Sequence, residues 1–230
     1  MKVKVLNLYQ TDVDRILWTA ARTCYSKKSP IELYIDSLTT KNEDMEELIC
    51  KALDSGHLSI AEHCNITILI QGISRSLTHQ LVRHRHCTFS QQSQRYCKLD
   101  SGFEYIIPDS INNNEELKEG FNIFMDAVQK TYNVFINSGV KAEDARAILP
   151  NACSTNIVMT CNLRELIHIC NERLCTCAQK EIRQLINEIA KQVISFIPWT
   201  SKYLQPKCER LNYCPESKNR SCGRKPTNNK

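Results

Sequence analysis

Three of the six histidines, His79, His84 and His86, fall within eight residues, and the surrounding segment adds Arg75, Arg83, Arg85 and Arg95. Guanidinium groups present forked donors that match the oxygens of a phosphate or pyrophosphate, so a cluster of this kind suits an anion. On a helix, Gln80, Arg83 and His84 are spaced three or four apart and share one face. The stretch that follows, with Thr88, Ser90, Gln91, Gln92, Ser93, Gln94 and Arg95, supplies hydroxyls, amides and another guanidinium without hydrophobic spacing. A run such as RHRH is by itself more often a solvated basic face. The hydrogen-bonding stretch beside it favours a nucleotide pocket.

A second cluster lies downstream. Asn162 is placed to cap a helix that carries Arg164 and His168, adjacent at i and i+4, and then Arg173; Arg146 stands shortly before Pro150. Each residue alone reads as a surface group or a salt-bridge partner, whereas together they form a wall for an anionic ligand. A third cluster, Gly56 to His63 (GHLSIAEH), precedes an apolar strand and reads equally well as a turn. Neither a phosphate loop nor a Gly-x-Gly-x-x-Gly pattern occurs, so a dinucleotide must be held in another way. No metal is assigned. Cys175-Thr-Cys177 is closer than a usual zinc pair, and Cys208, Cys214 and Cys222 lack a fourth partner at a recognisable spacing, which leaves a tail zinc site as an open alternative.

The elements that carry these residues follow from periodicity. Alternation predicts strands over 2–9, 63–72 and 155–161, with a further one at 103–107. Helical spacing predicts helices over 12–24, capped by Thr11, and over 43–54. Another runs from Ser74 as cap through Arg85, and a long one covers 115–138 with Leu117, Phe121, Phe124, Val128, Tyr132 and Phe135 on one face. Helices are also predicted over 142–148, 163–174 and 179–197, and residues 86–96 read as loop. Strands mixed irregularly with helices indicate an α+β fold.

The chain has 230 residues and 42% hydrophobic content, enough for a core of ordinary size. No apolar run approaches the roughly 20 residues that span a bilayer, and the start is too short in apolar residues for a secretory signal, so a cytoplasmic protein with no membrane partner is expected. Thirteen cysteines are then reduced thiols, most of them serving as small apolar side chains. The net charge of +5 hints at nucleic acid, yet residues 201–230 hold eight Lys or Arg and two Glu, leaving about −1 for the first 200. The division expected is a domain over 1–200 and a basic, cysteine-containing tail over 201–230.

Arg83-His-Arg-x-x-Thr-x-Ser-x-x-Ser-x-Arg95-Tyr96 resembles the signature of the flavin-dependent thymidylate synthases, written R-H-R-x-x-S-x-N-x-x-S-x-R-Y in many members. The flanks resemble the family too, with GHLSIAEH before the strand, GISRSLTHQLVRHR leading into the signature, and ARAILPN and TCNLRELIHICNER downstream. The resemblance implies a mainly antiparallel twisted sheet flanked by helices, with a helical lobe. It implies reductive methylation of dUMP to dTMP, with methylenetetrahydrofolate as carbon donor and FAD, reduced by NADPH, as hydride source. It also implies a homotetramer with sites built from several subunits.

Carried over residue by residue, the family's flavin contacts match Ser59, Arg83, His84, Arg85, Gln91, Asn162, Arg164 and His168. Its dUMP contacts match Gln80, Leu81, Val82 and Arg83, then Gln91, Gln92, Ser93, Gln94 and Arg95, with Arg146 and Arg173. Arg173 matches the arginine that assists ionisation of the uracil ring and is the catalytic residue expected. Ser93 matches a serine once considered a nucleophile; with no neighbouring base to activate it, it is assigned to binding. The chain departs from the family pattern at Thr88, Ser90, Gln91 (Glu in some members) and His168 (Asn in some). An RNA-binding module using the basic face and tail is the alternative, weakened by an aromatic content of 7% and the lack of an RNP-like strand.

Overall fold

The computed structural model describes residues 1–6 and 8–227; Asn7, inside the strand expected over 2–9, and residues 228–230 of the tail lie outside the described residues. Two compact units are present. The smaller gathers Met1–Lys2, Ile70–Arg83 and Phe89–Val158, and the larger takes the remainder, including the basic tail.

The chain opens with β1 (Lys2–Leu6), shorter than expected: Leu8 and Tyr9 are not in the strand, and Tyr9 already serves as N-cap of α1 (Gln10–Thr23). Tyr9, not Thr11, is the N-cap, and no side chain caps this helix. Gln10 is tied to Glu46 by a 2.5 Å hydrogen bond and Val13 N–H bonds the Tyr9 carbonyl at 3.1 Å, which together start the helix ahead of Thr11. Periodicity predicts nothing over 30–37, yet α2 (Pro30–Ser37) forms there. Its signal is a capping box: Ser29 Oγ accepts from Glu32 N–H at 3.3 Å, and Glu32 Oε2 accepts from Ser29 N–H at 2.7 Å. Pro30 at the first turn lacks the N–H that would otherwise need a partner. In α3 (Asn42–Asp54), Met45, Ile49 and Leu53 face inward as their spacing requires, and Gly56 with φ 87° supplies the left-handed turn after it. A 3-10 helix, Leu58–His63, leads into β2 (Asn65–Ser74), whose Ile66, Ile68 and Ile70 are buried in alternation.

Ser74 caps α4 (Arg75–Leu81), its Oγ accepting from Leu77 N–H at 3.0 Å. The helix stops at Leu81 rather than Arg85, since Arg83 to His86 offer no apolar side chain to extend the buried face formed by Leu77, Thr78 and Leu81. Arg83 and His84 therefore lie in a turn and do not share a helix face with Gln80. The loop expected over 86–96 contains β3 (Cys87–Gln91). Pairing with a strand distant in sequence overrides its weak local preference. Residues 103–107 make a single antiparallel bridge, Tyr105 with Cys153, instead of a strand. Then come α5 (Asp109–Asn112) and α6 (Glu115–Asn137). Val128 and Tyr132 of its predicted stripe are buried, but Leu117 and Phe124 are more than half exposed, because this chain covers only the middle of the stripe. α7 (Ala142–Ala145) continues into a 3-10 turn, Arg146–Ile148.

β4 (Ser154–Asn162) runs directly into α8 (Leu163–Arg173), followed by α9 (Lys180–Phe196), a 3-10 turn Pro198–Lys202 and α10 (Lys207–Leu211) in the tail. Strand order is β1-β2-β4-β3. Thr67 meets Thr160 at 3.0 Å in the larger unit and Gly72 N–H bonds Asn156 Oδ1 at 3.2 Å in the smaller, so numbering rises on β2 as it falls on β4 and the pair is antiparallel. This is the α+β arrangement expected. In the larger unit Leu17, Ile49, Leu163, Leu166, Ile169, Ile186 and Ile189 are fully buried, each contributing about 1.5–3 kcal/mol of apolar burial. All thirteen cysteines are free thiols. No helix among the described residues is long and apolar enough to cross a membrane.

Candidate active site

Asn162 ends β4 and caps α8, its Oδ1 accepting from Glu165 N–H at 2.9 Å, as its position predicts. That cap orients Arg164, Glu165, His168 and Arg173 on one helix. Buried Glu165 places Oε1 3.4 Å from His84 Nδ1, and His84 Nε2 accepts from Arg173 Nε at 3.1 Å. His84 is only 6% exposed. Burial first, then the charge of Arg173 and the nearby His168, push its pKa from 6.5 down to about 4. The imidazole is thus neutral at pH 7, and with Nε2 accepting, its proton is assigned to Nδ1, facing Glu165. Grouping His84 with a cationic anion-binding face is corrected: it is a buried neutral acceptor that orients a cation. The two Nη groups of Arg173 have no partner among the described residues.

His84, Glu165 and His168 bring ligand atoms within 4.8 Å of one another. The guanidinium beside them makes an anion the better-matched guest. A pocket of about 610 Å³ opens in the same unit, where Leu58 and Ile167 supply apolar wall and Asn162, Arg164, His168 and His86 supply donors. Arg164 is held in an ion pair with Glu62. Asn171 gives its amide N–H to the Ile167 carbonyl at 2.7 Å, while its buried Oδ1 lacks a donor among the described residues. Of the residues matched to flavin, Asn162, Arg164 and His168 line this pocket; Ser59 and Arg85 are exposed elsewhere in the unit, and Arg83 and Gln91 belong to the smaller unit.

The residues matched to dUMP belong to the smaller unit, Arg173 excepted. Leu81 is fully buried, so only its backbone is available to a ligand; Val82 and Arg83 are exposed and Gln80 half-buried. Gln91 Nε2 donates to Thr78 Oγ1 at 3.1 Å and lies 3.5 Å from Thr155 Oγ1. The Gln92 carbonyl accepts from Arg75 Nη2 at 2.7 Å, and its side-chain oxygen accepts from Asn156 Nδ2 at 3.1 Å. Ser93 Oγ accepts from Arg95 N–H at 3.1 Å. Gln94 leans on Cys153. Arg95 contacts Glu143 Oε2 through Nε at 3.0 Å and Nη2 at 2.9 Å, and Arg146 Nε donates to the Glu143 carbonyl at 3.1 Å, so two predicted arginines converge on one residue that sequence reasoning passed over. Arg75, expected only as a member of the cationic cluster, anchors residue 92 and keeps a buried Nε without a partner among the described residues. Glu62, Glu165 and Asn171 carry no sequence signal beyond their charge or polarity, because their partners are set by the fold.

An α+β fold presenting oriented guanidinium groups and a half-apolar pocket suits ligands that combine negative charge with an apolar part. The family described as thymidylate synthase complementing protein matches residues 5–199. A flavin-dependent thymidylate synthase of Clostridium tetani is 39% identical, covering 97% of this chain and 94% of its own. The enzyme of that name from Pyrococcus furiosus is 39% identical over 94% of this chain and 90% of its own. A solved structure of a UMP/dUMP methylase from Streptomyces cacaoi, bound with 5-Br dUMP, shares the fold at a TM-score of 0.72, with 20% identity, 86% of this chain and 92% of that chain covered. This chain belongs to the flavin-dependent thymidylate synthase family, which leaves the RNA-binding alternative without support.

Proposed function

We propose that this protein methylates dUMP reductively to dTMP for de novo dTMP biosynthesis, using methylenetetrahydrofolate as carbon donor, FAD as flavin and NADPH as its reductant. The observation that carries the reading is Arg173: a helix-terminal guanidinium held through Nε by a neutral imidazole, with neither Nη group partnered among the described residues, inside a chain of this family. A permanently charged fork of that kind stabilises negative charge developing on the uracil ring without needing a matched pKa.

The residues present fit a flavin. The half-apolar pocket suits an aromatic ring system, its arginines and histidines suit anionic groups, and the Asn171 Oδ1 offers an acceptor for a ligand N–H. Bound and reduced, the flavin supplies the hydride equivalent. Asn162, Arg164 and His168 hold it within the pocket, and Ser59, Arg83, His84, Arg85 and Gln91 complete the flavin set, His84 by orienting Arg173. Exposed Arg83, with Arg95 and Arg146, binds the dUMP phosphate, and Gln80 to Val82 with Gln91 to Gln94 contact the nucleotide. The catalytic domain spans 1–200, with 201–230 an appended tail. A homotetramer is supported by apolar side chains left exposed on α6 (Leu117, Ile123, Phe124, Val134) and on α2 (Ile31, Ile35). A cytoplasmic site of action follows from the substrates.

Purified protein reconstituted with FAD should show a flavin spectrum that shifts on addition of dUMP, and should form dTMP when methylenetetrahydrofolate and NADPH are supplied. Failure to bind flavin after reconstitution sinks the reading.

A further inference from the structure

Five of the thirteen thiols, Cys175, Cys177, Cys208, Cys214 and Cys222, line one pocket of about 220 Å³ in the larger unit. In the sequence they form two incomplete sets, a pair that is too close and a trio without a fourth partner. The fold completes the set by folding the tail against the end of α8. Cys177 Sγ donates to the Arg220 carbonyl at 3.4 Å, which ties the end of α8 to the tail beside Cys175, Cys208 and the buried Cys214. Cys222 instead meets the Thr176 side chain and the backbone of Arg224.

Two further observations ask for a ligand here. From residue 205 to 227 only Cys214 is buried, and the segment is tied by one β-bridge, Cys214 with Thr227, a Cys214 N–H bond to the Pro226 carbonyl at 2.7 Å, and exposed ion pairs such as Lys207 with Glu172 at 3.9 Å. Surface ion pairs of this kind contribute little, and a segment without an apolar core needs a covalent or metal staple to hold a shape. The second observation is charge. Lys207, Arg220 and Arg224 line the same pocket, outnumbering Glu172 and Glu216. Four thiolates around a divalent cation carry a net charge of −2, which such a shell offsets in part.

We propose that Cys175, Cys177, Cys208 and Cys214 bind one Zn²⁺ as a tetrathiolate that staples the tail to the C-terminal end of α8. Binding deprotonates four thiols and releases four protons, with no change of oxidation state. Among the described residues no three of these sulfurs already lie within 4.8 Å of one another, so the side chains turn inward on binding. Cys175 stands two residues beyond Arg173, so the metal also fixes the helix end from which that guanidinium projects. The proposal departs from the expectation of no metal at this one place, and it holds whether or not the protein methylates dUMP.

Full-length protein produced with zinc in the medium should retain about one zinc per chain by plasma mass spectrometry after dialysis against a weak chelator. Metal-free protein loaded with Co²⁺ alone should show thiolate-to-cobalt charge transfer and tetrahedral d–d bands. The C208S/C214S double variant should lose both signals, and C222S should keep them. Should the double variant fail to fold, mercurial titration of wild-type thiols must release zinc in step with thiol loss. Zinc below about a tenth per chain, metal retained in a folded double variant, or a disulfide among these cysteines in the unreduced mass spectrum would overturn the proposal.

Discussion

Arg173 donates from Nε to His84 Nε2 across 3.1 Å, tying the last residue of α8 to a turn that lies 89 positions earlier in the chain. The bond needs a neutral imidazole, and the guanidinium helps to keep it neutral. Replacing Arg173 with Ala should lower dTMP formation by about 10²–10³-fold, the usual cost of removing one electrostatic donor at a reacting centre, while flavin remains bound. In that variant the His84 pKa should rise, because one repulsive charge is gone, yet stay below 6.5, because burial is the larger cause. The imidazole proton shifts followed by NMR across pH check this; an unmoved His84 titration would refute the coupling.

His84 also links stability to pH. Its folded pKa, about 4, lies below the unfolded value of 6.5, so the stability it contributes is present above pH 6.5 and is lost as pH falls through 4, up to about 3 kcal/mol. His84→Gln keeps an acceptor for Arg173 and a donor towards Glu165 but does not titrate. The stability advantage of wild type over His84→Gln should therefore shrink between pH 7 and pH 4.5, read from urea midpoints; a constant difference would mean that His84 does not take up the proton on unfolding.

Gln91 stands where some relatives carry Glu, and the smaller unit explains why the amide suits this chain. Thr78 Oγ1 already donates its proton to the Arg75 carbonyl at 2.9 Å, so it can only accept from residue 91. A Glu there would set a carboxylate oxygen against an oxygen with no proton to give. Gln91→Glu should cost about 1–3 kcal/mol at pH 7, recovered in part at acid pH where the carboxyl regains a proton. Thermal unfolding at the two pH values tests it, and an unchanged midpoint at pH 7 would show that Thr78 reorients.

What the sequence made legible divides by the range of the interaction. Alternating Ile66, Ile68 and Ile70 announces β2, and Ser74 and Asn162 announce their helices, because strand period and capping are local. The Ser29 and Glu32 capping box of α2 was equally local but escaped a search by apolar period, since Leu33 and Ser37 are its only buried residues. β3 was illegible, because its stability comes from pairing with β4 more than sixty residues on. The signature arginines and Arg173 were readable as candidates by type and by resemblance. The buried neutral state of His84 was not, since it depends on what the fold lays over that ring, and neither was the convergence of Arg95 and Arg146 on Glu143.

Asp14 gives the opposite sign of pH dependence from His84. It is fully buried, with Oδ1 accepting from Trp199 Nε1 at 2.8 Å. Burial is the largest effect on its carboxyl and Glu46 adds repulsion; against them the Trp199 bond pulls downward, and the pKa is raised from 3.8 to about 6. A raised acid pKa means that the folded state prefers the protonated form. The associated stability is complete below pH 3.8 and is lost as pH rises through 6, amounting to about 3 kcal/mol by neutral pH. Asp14→Asn keeps an oxygen for Trp199 and carries no charge. It should raise the urea midpoint at pH 7.5, with the gain fading towards pH 4, where the native side chain is already neutral. A gain of equal size at both pH values would assign the effect to packing, and a loss at pH 7.5 would mean that the ionised carboxylate is stabilised by a partner that the amide cannot replace.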